Sequence, residues 1–149
     1  MNSERPIGIF DSGIGGLTIA SEINKVLPNE KIIYFGDTQH LPYGNKSAKK
    51  IIYYSNKIVN FLLKKNCKAI VIACNSASAI ALDFLIKKNL EKCIIIDVIN
   101  PLIQAIIKDV KIKSIGIIGT NATIASNVYQ KNGRNNYNNF WIVYIFIPS

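Results

Sequence analysis

A cysteine followed by small polar residues is the part of this sequence best suited to acid–base chemistry. The segment reads Cys74-Asn75-Ser76-Ala77, directly after the apolar run 69–73 and before a helical pattern. The thiol is therefore expected at a strand-to-helix junction, where the amino end of the helix would stabilise a thiolate and lower its pKa. Asn75 and Ser76 add donors for an anionic substrate. The alternative is a buried structural cysteine, which small polar neighbours at a strand end make the weaker interpretation.

Two earlier apolar runs also end in segments that could bind a ligand. Asp11 and Ser12 precede a glycine-rich turn that lacks the pattern of a nucleotide-binding loop. Asp11 is either a ligand-binding carboxylate or a structural residue, acting as a helix N-cap or in the turn, and spacing alone does not separate the two. Tyr43 and Gly44 lie in a Pro-Tyr-Gly loop whose backbone amides could bind a carboxylate.

The other candidates are weaker. Thr120 could cap a helix and Thr123 could reach a ligand, although capping alone would explain both residues. His40 is the only histidine, and a lone loop histidine is more often a surface residue than a catalyst. Cys67 and Cys93 lie near the starts of apolar runs, away from the strand ends, and are interpreted as structural.

The elements that must position these residues alternate between strands and helices. The apolar runs are continuous rather than alternating, which is typical of strands covered on both faces in a parallel sheet. The predicted strands are 7–10, 32–35, 69–73, 93–96 and 115–118, and the predicted helices are 17–26, 49–65, 77–88, 101–109 and 122–129. This alternation predicts one doubly wound α/β domain, with a mostly parallel sheet, helices on both faces and ligands bound at the carboxyl ends of the strands.

Composition narrows the functional classes. The 149 residues are 49% apolar, enough for the core of one domain. The net charge of +9 comes almost entirely from scattered lysines, which favours a solvated basic surface over nucleic-acid binding. No signal peptide and no apolar run of membrane-spanning length is evident, and three cysteines without a CxxC pattern do not suggest a secreted disulfide framework. A cytoplasmic protein without a membrane partner is the expectation.

The end of the chain has a different composition. Residues 132–139 are asparagine-rich and look like a linker, while residues 140–147 are apolar and uncharged. The apolar part is either a sixth strand or the product of out-of-frame translation. We therefore divide the chain into a domain over 1–131 and an atypical, disordered or out-of-frame tail over 132–149.

Four motifs, in order and at these spacings, carry a resemblance to a known family. They are Asp11-Ser12-Gly13 with Gly15-Gly16, Pro42-Tyr43-Gly44, Ala73-Cys74-Asn75-Ser76-Ala77, and Gly119-Thr120 with Ala122-Thr123. Together they resemble glutamate racemase, of the cofactor-independent aspartate/glutamate racemase superfamily, over residues 6–131.

The resemblance implies proton transfer by two thiols, one on each face of the glutamate α-carbon, with no cofactor and no metal. It also implies a role in supplying D-glutamate for peptidoglycan. Cys74 matches one of the two acid/base residues, and Ser76 stands where the family usually has threonine, which keeps the hydroxyl. The candidate substrate-binding residues are Asp11, Ser12, Tyr43, Gly44, Asn75, Ser76, Thr120 and Thr123.

One family feature is missing. The family's second domain carries a Gly-Cys-Thr-His motif with the other catalytic cysteine, and this motif does not occur in the sequence. The expectation is therefore an N-terminal part that is inactive as a racemase by itself. The alternatives are a split racemase, in which a separate chain supplies the second domain, an enzyme acting on aspartate, and a remnant without function. A homodimer is a further possible assembly.

Overall fold

The computed structural model describes residues 4–109, 114–134 and 141–146 of the chain. Within these residues strands and helices alternate along most of the chain. The elements are β1 (Ile7–Asp11), α1 (Leu17–Val26), β2 (Ile32–Gly36), α2 (Ala48–Lys64), β3 (Ala69–Ile72), α3 (Asn75–Asn89), β4 (Ile94–Asp97), α4 (Asn100–Lys108), β5 (Ser114–Gly119), α5 (Asn121–Ala125), α6 (Val128–Arg134) and β6 (Trp141–Phe146). A 3-10 turn, Tyr43–Asn45, lies between β2 and α2.

The first four strands form a parallel sheet in the order β2-β1-β3-β4. The chain moves from β1 to one side for β2 and then crosses to the other side for β3. The strand order therefore reverses between β1 and β3, and this switch point is where open α/β sheets bind ligands. The parallel α/β architecture expected from the continuous apolar runs is confirmed.

Helices cover the two faces of this sheet unequally. On one face, α2 and α3 enclose a core that includes Phe10, Ile70 and Leu62, all fully buried. Ser47 caps α2 by accepting a hydrogen bond from the Lys50 amide. Each fully buried aliphatic side chain contributes about 1.5–3 kcal/mol to stability, so this face anchors the fold.

The opposite face is covered over β1 and β2 by α1. β4 is less protected, since Ile94 and Ile96 retain 58% and 43% of their exposure. Their register with Ala69 and Val71 places them on the α1 side of the sheet. Two aliphatic side chains on a sheet face are thus left open to solvent in the described structure.

The carboxyl-terminal elements differ in detail from the sequence expectation. The predicted helix 122–129 is two helices, α5 and α6, separated near Asn127, which has a φ of 55°. β5 pairs in parallel with β6, in a two-stranded sheet separate from the first. α6 continues past residue 131, and residues 141–146 form a strand, whereas 135–140 and 147–149 lie outside the described residues. The division of the chain at residue 131 stays a prediction.

No helix in the described part of the chain has the length and apolar character needed to cross a membrane.

Candidate active site

Cys74 lies at the junction that the sequence predicted. It is the N-cap residue of α3, with an extended backbone, and the Ser78 amide donates to its carbonyl as the helix begins. The side chain is 5% exposed, and its Sγ lies 3.4 Å from Ser12 Oγ in the loop after β1. The thiol and the hydroxyl therefore meet at the switch point between β1 and β3.

The prediction of a lowered pKa for Cys74 was wrong. Burial raises the pKa of this thiol, because removing a thiolate from water costs more than removing a thiol. Hydrogen bonds from the Ser12 hydroxyl and the Ala77 amide act in the opposite direction, while the nearby Asp11 carboxylate adds a smaller raising effect. The helix amino end thus opposes the desolvation cost without overcoming it.

Asp11 holds the glycine-rich turn in place. Its Oδ2 accepts a hydrogen bond of 3.0 Å from the amide of Gly16, the N-cap residue of α1. A Cβ on Gly16 would come within 2.8 Å of the Cβ atoms of Asp11 and Ala73, so only glycine allows this approach. Gly16, not Asp11, is the N-cap residue of α1, and that helix has no side-chain cap. The structure therefore shows Asp11 as a turn residue, and a ligand contact would be additional to that role.

The loop after β2 reaches the same end of the sheet. Tyr43 is 1% exposed, and its hydroxyl donates to Asp37 Oδ2 at 2.6 Å. Burial, with this hydrogen bond second, raises the pKa of Tyr43 far above its ordinary value, and the phenol stays protonated. The thiol of Cys74 is close enough to contribute to the same shift. A Cβ on Gly44 would lie 2.5 Å from the Thr120 Cβ, which brings the loop against the start of α5.

Hydroxyl groups connect α3 to α5. Ser76 Oγ and Thr120 Oγ1 lie 2.9 Å apart, and Thr120 Oγ1 lies 3.2 Å from Thr123 Oγ1. Thr120 caps α5, as predicted, by accepting from the Thr123 amide. Thr123 is 3% exposed, so its hydroxyl is packed behind Thr120, whereas Asn75 is exposed and accepts a hydrogen bond from the Tyr129 hydroxyl.

We call this group the strand-end site. It comprises Asp11, Ser12, Tyr43, Gly44, Cys74, Asn75, Ser76 and Thr120, with Thr123 behind them. Cys67 and Cys93 lie at the other end, before the first residues of β3 and β4, with no disulfide to either. Sequence reasoning missed Asp37, whose only signal was an aspartate following a predicted strand.

Two cavities lie apart from the strand-end site, and one of them, of about 270 Å³, is lined by residues that include Asp37, His40 and Tyr54. The second, of about 470 Å³, opens near the amino ends of the strands, beside Arg5, Lys92 and Cys93. Over the described ranges, His, Cys, Asp and Glu side chains form no group of three or more that could hold a metal ion. The arrangement at the strand-end site is one titratable thiol surrounded by hydroxyl, amide and carboxylate groups.

Comparison with known proteins shows which proteins the chain resembles. The chain is 49% identical to a glutamate racemase of Lactococcus lactis subsp. cremoris (strain MG1363) over 127 residues, which are 85% of this chain and 46% of the relative. Over these residues the chain is similar to glutamate racemases. It spans about half the length of the curated relatives that it matches. No family model matches the sequence.

Solved structures give the same result at the level of the fold. Glutamate racemase isoform RacE1 of Bacillus anthracis matches with a TM-score of 0.91 and 39% identity, over 99% of this chain and 55% of that one. A Francisella tularensis glutamate racemase in complex with D-glutamate matches with a TM-score of 0.85 and 41% identity, over 97% and 53% of the two chains. The chain therefore matches about half of each of these two racemases.

Proposed function

We propose that this chain supplies one of the two acid/base thiols of a cofactor-independent glutamate racemase, and that Cys74 is that thiol. The observation that carries the proposal is the buried Cys74 at the switch point, within hydrogen-bond distance of the Ser12 hydroxyl. The similarity to glutamate racemases supports the same assignment. We propose that the product is D-glutamate, that it is made in the cytoplasm and that it is used for peptidoglycan.

The reaction requires Cys74 to act as a thiolate at the moment of proton abstraction. Ser12 and the Ala77 amide already favour the thiolate, and burial opposes it. A bound amino acid brings an α-ammonium group, and a positive charge beside a thiol lowers its pKa. We infer that substrate binding completes the activation of Cys74 and that the thiol is mostly protonated until then.

The groups around Cys74 suit a carboxylate substrate. The Gly44 amide, the Asn75 side chain and the Ser76 hydroxyl are the donors that we assign to the substrate carboxylates. Donors near the α-carboxylate would also stabilise the charge that develops as the α-proton leaves. Asp11 keeps the glycine-rich turn against the thiol and offers a negative charge for the substrate ammonium.

A second polypeptide segment is needed for racemisation. A thiol on one face of the α-carbon can remove a proton but cannot return one to the opposite face. Asn75 and Thr120 are exposed, so the strand-end site is open on one side, and Ile94 and Ile96 leave part of the sheet face uncovered. We propose that the complementary half of a racemase supplies the second thiol and covers these surfaces, whether it continues this chain or comes from another one.

Ligand titration followed by NMR tests the substrate assignment. Isotope-labelled chain is titrated with D-glutamate, L-glutamate and D-aspartate while the backbone amides of Ser12, Gly44 and Ser76 are observed. The proposal predicts that both glutamate enantiomers shift these amides more strongly than D-aspartate does. Stronger shifts with D-aspartate would favour the aspartate alternative, and shifts confined to other residues would contradict the assignment of the strand-end site.

A further inference from the structure

A hydrogen-bonded group behind the substrate-binding loop has no role in the proposed chemistry. Asp37 follows β2 and is 7% exposed, and each of its carboxylate oxygens has a separate partner. Oδ2 accepts from the Tyr43 hydroxyl at 2.6 Å, and Oδ1 lies 2.7 Å from Nδ1 of His40. Since an ionised carboxylate only accepts hydrogen bonds, the His40 ring donates through Nδ1.

His40 is itself held in orientation by packing. Its ring stacks on Tyr54 of α2, with ring centroids 4.0 Å apart and an angle of 23° between the planes. The His40 amide also donates to the Asp37 carbonyl. The imidazole therefore has a fixed ring plane, and its Nδ1 is directed at the carboxylate that holds Tyr43.

The position of Tyr43 determines where Gly44 lies. The two residues share the 3-10 turn Tyr43–Asn45, which is closed by a hydrogen bond from the Lys46 amide to the Tyr43 carbonyl. Gly44 packs directly on Thr120, so a shift of the turn by even a few tenths of an ångström would alter this contact. A displacement of the Asp37 side chain would therefore also displace the Gly44 amide, which we assign to the substrate carboxylate.

We propose that His40 is a positioning residue for the 3-10 turn, acting through Asp37. The inference rests on the proposed function, because it concerns the loop to which that function assigns substrate binding. Without the Nδ1 hydrogen bond, the Asp37 carboxylate gains rotational freedom and Tyr43 loses a fixed acceptor. His40 does not contact the reacting atoms, so its effect is on the geometry and occupancy of the turn.

Two variants separate the hydrogen bond from the stacking. His40→Phe keeps a ring against Tyr54 and loses Nδ1, whereas His40→Asn loses the ring and places its amide nitrogen where Nδ1 was. Gln39→Ala, at the adjacent exposed position, is the matched control. The first measurement is hydrogen exchange at the Lys46 amide in the free protein, with the Ser78 amide in α3 as an internal reference.

We expect the 3-10 turn to open more often while the rest of the domain keeps its stability. Loss of one hydrogen bond predicts that His40→Phe speeds exchange at Lys46 about five- to tenfold, with Ser78 unchanged and with His40→Asn within about twofold of wild type. Equal rates in His40→Phe and wild type, or equal rates in His40→Phe and His40→Asn, would overturn the proposal. Faster exchange at Ser78 as well would also overturn it, since that shows a general loss of stability.

The second measurement is the dissociation constant for D-glutamate. It should weaken about five- to tenfold in His40→Phe and stay near wild type in His40→Asn and Gln39→Ala. If wild-type protein binds no glutamate, the proposed function fails, while exchange at Lys46 still decides the positioning role. If wild type binds and His40→Phe binds equally well, the proposed function stands and the role of His40 is refuted.

Discussion

The reactivity of Cys74 can be changed in opposite directions by its two neighbours. The Ser12 hydroxyl lowers the pKa of the Cys74 thiol, and the Asp11 carboxylate raises it. A hydrogen bond to a charged group contributes about 1.5–3 kcal/mol, and we take the lower end because the Sγ to Oγ separation is 3.4 Å. Ser12→Ala should therefore reduce the thiolate population about tenfold at pH values below the ordinary cysteine value of 9.0.

Alkylation by iodoacetamide measures this population, because only the thiolate reacts. The rate is followed against pH, with mass spectrometry resolving the Cys74 peptide from those of Cys67 and Cys93. Ser12→Ala should slow Cys74 about tenfold, Ser12→Thr should restore most of the rate, and Asp11→Asn should accelerate it. Asparagine still offers an oxygen to the Gly16 amide. An unchanged rate in Ser12→Ala, or a slower one in Asp11→Asn, would refute the electrostatic reasoning.

Three other results are expected. Gly44→Ala should lower the free energy of unfolding in urea by about 1–3 kcal/mol, because the added Cβ would overlap Thr120. The control Gly116→Ala, at a position with open space around it, should change that free energy by less than about 0.5 kcal/mol. Equal effects of the two substitutions would contradict the packing of Gly44 on Thr120. Burial raises the pKa of the Cys74, Cys67 and Cys93 thiols in the folded protein, so their joint contribution to stability is complete below pH 9.0 and is lost as pH rises above that value. A urea-denaturation midpoint that does not decrease between about pH 9 and pH 10 would contradict this. Replacing Ile94 and Ile96 together by lysine should reduce self-association of the isolated chain in sedimentation with little loss of stability, and a large loss would show that these side chains are covered.

The sequence predicted the elements well because their signals are local. The continuous apolar runs at 7–10 and 69–73 indicated buried strands, and Cys74, directly after the run 69–73, indicated the candidate site. The order β2-β1-β3-β4 is a property of the crossover connections, and it is this order that brings Ser12 beside Cys74. The split of the last predicted helix at Asn127 depends on one residue with positive φ, which residue type alone does not reveal.

The pKa of Cys74 was harder to predict than the set of residues that lie around it. A helix amino end suggested a lowered pKa for Cys74, but the degree of burial decides the sign, and burial follows from tertiary packing. Asp37 was missed because its partners, Tyr43 and His40, meet it only after the loop has folded back on α2. The structure buries Thr123 behind the hydroxyl that caps its helix, and its contact with a ligand stays a prediction.

Exchange of the glutamate α-proton in D₂O tests the central claim most directly. Purified chain is incubated separately with L-glutamate and D-glutamate, and loss of the α-proton signal and inversion are followed by NMR and chiral chromatography. The account predicts slow exchange of one enantiomer without inversion, abolished in Cys74→Ala and retained in Cys67→Ala. Interconversion of the two enantiomers by the isolated chain, or exchange that persists in Cys74→Ala, would contradict it.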